Sequence, residues 1–169
     1  MREHITKLLI AALLAAGLAG CESLEATNGD GDLTASITDS SSFGTAPELV
    51  WIEKAKTNFK NGNYGLAERY YRRAIEERHN NAEAWLGLAA SYDRLKRFDL
   101  ADRAYDQLIQ IAGHTPTVLN NLAYHHMLKG DFNTARQTLL KASEKAPNNP
   151  YVKRNLQLLD SWEAKAGET

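Results

Sequence analysis

The sequence predicts an all-α chain built as a solenoid of helical hairpins. Sliding it by 34 residues superposes Gly62, Lys96 and Gly130, then Tyr64, Phe98 and Phe132. The same shift superposes Trp51, Trp85 and Leu119, and Tyr71, Tyr105 and Leu139. Two rows of small residues also recur, Ala55, Ala89 and Ala123, and Ala67, Ala101 and Ala135. Large and small apolar residues in fixed order at this period mark units that bury their apolar faces only by stacking on neighbours.

This pattern resembles the tetratricopeptide (TPR) repeat, whose unit is two antiparallel helices. It predicts repeats at about 48–81, 82–115 and 116–149 in a domain spanning 47–169. In the first repeat Pro47 suits an opening turn, where its missing N–H costs nothing. Helix B is expected from Tyr64 to about Arg78, with Gly62 as left-handed stop and Asn63 as cap. Lys54 and Asn58 replace an expected apolar pair, which fits an end repeat with one uncovered face.

In the second repeat Ala89 and Ala101 let the paired helices approach closely. Lys96 stands where the inner turn wants glycine, so that turn needs another geometry or carries strain. In the third, Thr115-Pro116 opens the first helix and Gly130-Asp131 makes the inner turn. A seventh helix is expected over 150–164 as a solvating cap. Its Trp162 is expected to pack back on the array rather than face solvent.

The N-terminus reads differently. MREHITK is a basic start, and LLIAALLAAGL is an apolar run of 11 residues, too short to span a bilayer but suited to a signal peptide over residues 1–20. It ends in Leu18-Ala19-Gly20-Cys21, which resembles the bacterial lipobox. That resemblance implies that Cys21, the sole cysteine, is acylated and tethers the chain to a membrane. Glu22 is not the aspartate that by family rule retains lipoproteins in the inner membrane, which favours the outer membrane facing the periplasm.

Residues 21–46 form the expected acylated cysteine and flexible linker, rich in Ser, Thr, Gly and Asp. The linker holds five acids and no base from Glu22 onward, whereas Pro47 to the end holds 18 basic and 15 acidic residues. That mild excess excludes a nucleic-acid footprint. Asn28, Asp30 and Asp32 begin like a calcium loop, but Leu33 and Asp39 stand where the turn glycine and bidentate glutamate belong, so no metal is expected.

No HExxH, CxxC, GxSxG or phosphate-binding glycine loop occurs, and adjacent His125 and His126 point about 100° apart on a helix. The chain is therefore read as a non-enzyme without cofactors. The TPR resemblance implies a concave surface lined by the A helices, with Ile52, Lys56 and Phe59 in the first repeat and Leu86, Ala90, Asp93 and Arg94 in the second. Asn120, Asn121, Tyr124, Met127 and Leu128 follow, then Tyr151, Arg154, Asn155 and Leu158. The protein-binding candidates among them are Leu86, Asn120, Asn121, Tyr124, Met127, Tyr151, Arg154 and Asn155. Asn121 and Asn155 resemble an asparagine ladder for a peptide backbone, with local hydrogen bonding as the alternative. The carboxylate clamp of cochaperone TPRs is absent, since Ile52, Gly87 and Thr117 stand at its positions.

From Leu119 to Asp160 the run NNLAY…GDF..AR..LLKA….PNNP.V..NL resembles the TadD-type TPR lipoproteins of tight-adherence (Flp) pilus assembly. The resemblance implies a lipid-anchored scaffold that assists assembly or localisation of the pilus secretin. The alternative is a general periplasmic adaptor for a protease or cell-wall hydrolase.

Overall fold

The computed structural model describes residues 46–167. The expected signal peptide, Cys21, the expected linker up to residue 45 and the calcium-like Asn28, Asp30 and Asp32 lie outside the described residues. Seven helices follow one another among those described: α1 (Pro47–Lys60), α2 (Tyr64–Glu77), α3 (Ala82–Arg94), α4 (Phe98–Ala112), α5 (Pro116–Leu128), α6 (Phe132–Lys145) and α7 (Pro150–Gly167). They pair as α1–α2, α3–α4 and α5–α6, with α7 closing the row. No described helix is long and apolar enough to cross a membrane.

The pairs close because six alanines are fully buried at their crossings. Ala55, Ala89 and Ala123 on the first helices, and Ala67, Ala101 and Ala135 on the second, are all 0% exposed. A methyl group there lets backbones approach, and Tyr71, Tyr105 and Leu139 fill the flanking space. Helices α1, α3, α5 and α7 touch in sequence, whereas α2, α4 and α6 hold their Cα atoms more than 8 Å apart. The row therefore bends, with α1, α3, α5 and α7 on its inner side.

Helix ends follow local chemistry. Asn81 accepts from the Ala84 amide at 3.0 Å, Thr115 from Val118 at 3.3 Å, and Asp131 from Thr134 at 3.1 Å. The expected side-chain cap from Asn63 is corrected: it makes no such bond, and its amide turns instead toward Asn58 at 3.5 Å. Gly62 and Gly130 turn at φ of 78° and 80°, and Lys96 at the equivalent place is forced to 57°. Trp162 packs back as expected, its ring 6.3 Å from Tyr124 and 6.4 Å from Phe132.

The apolar interior divides in two. One cluster runs from Ile52 to Val118, and a second joins Leu119, Ala123, Met127, Leu139 and Leu159. Arg136 fastens the cap to α6 by pairing with Asp160 at 2.6 Å and with Glu163.

Two substitutions test this account by urea denaturation. A Cβ added at Gly87 would meet Cζ of the buried Tyr71 at 2.1 Å, so Gly87→Ala should cost about 1–3 kcal/mol. Lys96→Gly removes a left-handed penalty and adds some unfolded-state entropy, so it should gain about 0.5–1 kcal/mol. An unchanged midpoint in either variant contradicts the corresponding claim.

Candidate functional site

The inner row sorts its predicted residues by helical phase. Asn120, Asn121, Thr117, Asn149 and Tyr151 line one depression of about 290 Å³ between α5 and α7. Tyr151 is 70% exposed there, and Arg154, one turn on, is also exposed. Asn155 joins the group by donating its amide to the Asn120 oxygen at 3.0 Å. Tyr124 is half-buried against Trp162. Leu86 is half-buried on α3, in the other apolar cluster.

Met127 is a correction. It is 1% exposed, because Leu119, Ala123 and Met127 form the four-residue stripe of α5 that faces the core. It is thus closed to a ligand. Ile52 at 1% and Asp93 at 4% are likewise inside rather than on the inner surface. The two ladder asparagines point to different partners. Asn121 donates to the Thr117 carbonyl of its own helix at 2.8 Å, while Asn155 reaches Asn120. Each carboxamide donates one N–H within the array.

The strongest electrostatic feature lies in the junction between the second and third repeats. His125 is 0% exposed, with Nδ1 2.5 Å from Asp93 of α3 and Nε2 2.8 Å from Asp102 of α4. Tyr105 donates to the second Asp93 oxygen at 3.0 Å, and Lys129 to Asp102 at 2.9 Å. A neutral imidazole has one N–H, so only the imidazolium donates to both carboxylates. Burial alone would lower the His125 pKa, but the hydrogen bonds and charges of Asp93 and Asp102 hold it above its ordinary value. Burial opposes ionisation of Asp102 too, yet Lys129 and His125 keep that carboxyl below its usual range. Burial and the Asp93 charge push the Tyr105 phenol well above its ordinary value.

The geometry suits a clamp. The imidazole is fully buried and both of its nitrogens are held by carboxylates. Sequence reasoning missed this cluster, although a signal existed. Asp93 occupies the repeat position of Phe59 and Met127, both apolar, so a carboxylate there had to find a buried partner.

A tetratricopeptide-repeat family model matches residues 58–118. A TPR repeat-containing protein of Methanocaldococcus jannaschii is 28% identical over 98 residues, which is 58% of this chain but only 17% of that relative. Among solved structures, the first TPR domain of human RPAP3 is similar with a TM-score of 0.64 and 20% identity, covering 73% of this chain and 97% of that one. The Yersinia enterocolitica type III secretion translocator chaperone SycD gives 0.62 and 21%, covering 74% and 98%. The fold is thus a TPR-type solenoid. TPR proteins are generally protein-interaction scaffolds rather than enzymes. SycD has also been solved with a peptide of the translocator YopD.

The clamp gives a pH dependence. A histidine whose folded pKa is raised contributes stability that is full below its unfolded value near 6.5 and is lost as pH rises through the folded value. His126 runs the opposite way, because burial and the neighbouring His125 charge lower its pKa. The readout is therefore a difference: His125→Asn should cost on the order of 3 kcal/mol near pH 6, and the gap to wild type should narrow at higher pH. A gap that is flat or widens above pH 7 contradicts the clamp.

Proposed function

We propose that this protein is a lipid-anchored, periplasm-facing scaffold of the outer membrane that holds a protein partner on its inner helical row. Within that role it assists assembly or localisation of the secretin of a tight-adherence (Flp) pilus. The observation that carries the binding role is the α5–α7 depression, where Asn120, Asn121 and the 70% exposed Tyr151 gather beside exposed Arg154. Amides, an aromatic ring and one cation suit an extended or helical segment of protein better than a small polar metabolite. The lipobox-like Leu18-Ala19-Gly20-Cys21 and the NNLAY to PNNP run support the anchor and the pilus assignment.

Affinity capture from detergent-solubilised envelopes tests the reading. The wild-type chain should recover a secretin, and Tyr151→Ala combined with Asn121→Ala should lower recovery roughly tenfold without changing helicity. Both residues are partly or largely exposed, so their loss should leave the core intact. Recovery of hydrolases or proteases alone would move the assignment to a general adaptor. Unchanged flotation of Cys21→Ser with outer membranes would remove the anchor.

A further inference from the structure

The first repeat leaves one face with no helix against it among the described residues. At the next junction the same repeat positions are Trp85, Leu88 and Tyr92, which share a cleft with Ile75 of α2. In α1 those positions are Trp51, Lys54 and Asn58. Together with Leu66, Arg69, Tyr70 and Arg73 of α2, Trp51 and Lys54 line an open groove of about 640 Å³. The α2 residues recur at i, i+3, i+4 and i+7, so they share one helical face.

The groove is aromatic and carries four cations, Lys54, Arg69, Arg72 and Arg73, against one acid, Glu76. Trp51 and Tyr70 stack with centroids 5.9 Å apart. The Lys54 ammonium lies 4.6 Å from the Trp51 ring and 5.9 Å from Tyr70, and the Arg73 guanidinium lies 6.0 Å from Trp51. Arg72 and Arg73 approach Glu68 and Glu76 at 3.7 and 4.0 Å, but among the described residues no carboxylate lies within 4.0 Å of Lys54 or Arg69. Three of the five exposed large hydrophobic side chains among the described residues are at this end too: Leu49, Val50 and Leu66.

We propose that this end of the array docks on anionic phospholipid headgroups and seats the repeats against a bilayer. Charge complementarity selects that occupant. A helix stacking here, as helices stack inside the array, would have to bury the cations lying over Trp51, and Lys54 stands where such packing uses Leu88. A second copy approaching through its α7 would bring exposed Lys153, Arg154 and Lys165, which are like charges, while the α7 carboxylates of Asp160 and Glu163 are already paired with Arg136. A phosphate accepts charge-assisted hydrogen bonds from Lys54, Arg69 and Arg73 and leaves them at the water boundary. Tryptophan and tyrosine suit that same level of a bilayer, and exposed Val50 and Leu66 can enter its surface. The inference rests on the anchored reading for which membrane is met, whereas the headgroup contact needs no acyl chain.

The test uses the full chain carrying Cys21→Ser, which cannot be acylated, with vesicles of phosphatidylcholine alone or mixed equally with phosphatidylglycerol. The leader, whose start MREHITK is itself basic, is the same in every variant, so the quantity read is the part of the increase in co-sedimentation caused by phosphatidylglycerol that changes when the groove is altered. That increase should be reversed by added salt. Combining Lys54→Glu, Arg69→Glu and Arg73→Glu should reduce it by roughly a hundredfold or more with an unchanged melting temperature, while Lys54→Arg should preserve it. No phosphatidylglycerol-dependent increase, or an equal one in the charge-reversed variant, overturns the proposal. So does binding to a Glu- and Leu-rich helical peptide in place of vesicles, which would make the face a protein contact. Loss of flotation tests the anchor separately, because the vesicle result does not depend on acylation.

Discussion

Everything in this array depends on six small residues placed where the paired helices cross. Ala55, Ala89 and Ala123, with Ala67, Ala101 and Ala135, are fully buried at the crossings of the three helix pairs. Each holds two backbones close enough for Tyr71, Tyr105 or Leu139 to close the remaining gap. The bend follows from where the contacts fall. The first helices of successive repeats touch one another and the second helices do not, so the stack curves toward the first set. The inner surface that could hold a partner is therefore a consequence of close packing elsewhere.

One junction is stitched by different chemistry. Helices α4 and α5 touch less than any other consecutive pair, and the division between the two apolar clusters runs through α5, which gives Val118 to one and Leu119 to the other. Asp93, His125 and Asp102 bridge the gap, with Tyr105 and Lys129 completing their hydrogen bonds. Ion pairs of this kind pay a desolvation penalty that apolar packing avoids, and their stability gain is correspondingly small. Their geometry is demanding, however. Two carboxylates from different helices meet both nitrogens of one ring only in a single register, so the clamp fixes how the second and third repeats are set against each other.

Periodicity made the repeats legible, because a shift of 34 residues compares chemically equivalent sites. Turn glycines and proline starts made most helix boundaries legible too. Lys96 shows where that logic meets strain: the turn keeps its left-handed backbone at φ 57° without the glycine that suits it. Asn63 shows its limit, since a capping residue in the right place made no cap. The site was legible only in part. Family positions placed Asn120, Asn121 and Tyr151 together, yet Met127 fell inside because its own helix stripe, Leu119 and Ala123, points to the core. The buried clamp escaped notice because His125 and Asp93 lie 32 residues apart, off the repeat period. Hydrogen-bonding partners between unlike positions leave no periodic trace.

The two ends of the array resolve a common difficulty in opposite ways. Any stack of hairpins has a terminal face that a further repeat could cover, and an uncovered apolar face invites unlimited growth. At the C-terminal end α7 does the covering, burying Val152 and Leu159 and turning Asp160 outward to meet Arg136. At the N-terminal end no further helix is supplied among the described residues. Lys54 takes the position of Leu88 instead, and its ammonium sits on the Trp51 ring that a preceding helix would have covered. A cation in that place blocks stacking more effectively than a merely polar residue, because burying it without a partner costs more than the contact returns. The aromatic pair beneath it is retained all the same. An end face that needed only to repel neighbours would not require Trp51 and Tyr70 stacked under Lys54 and Arg73. Repulsion of helices and attraction of anions are satisfied by the same four side chains, which is why this end reads as a contact surface rather than as a blunt stop.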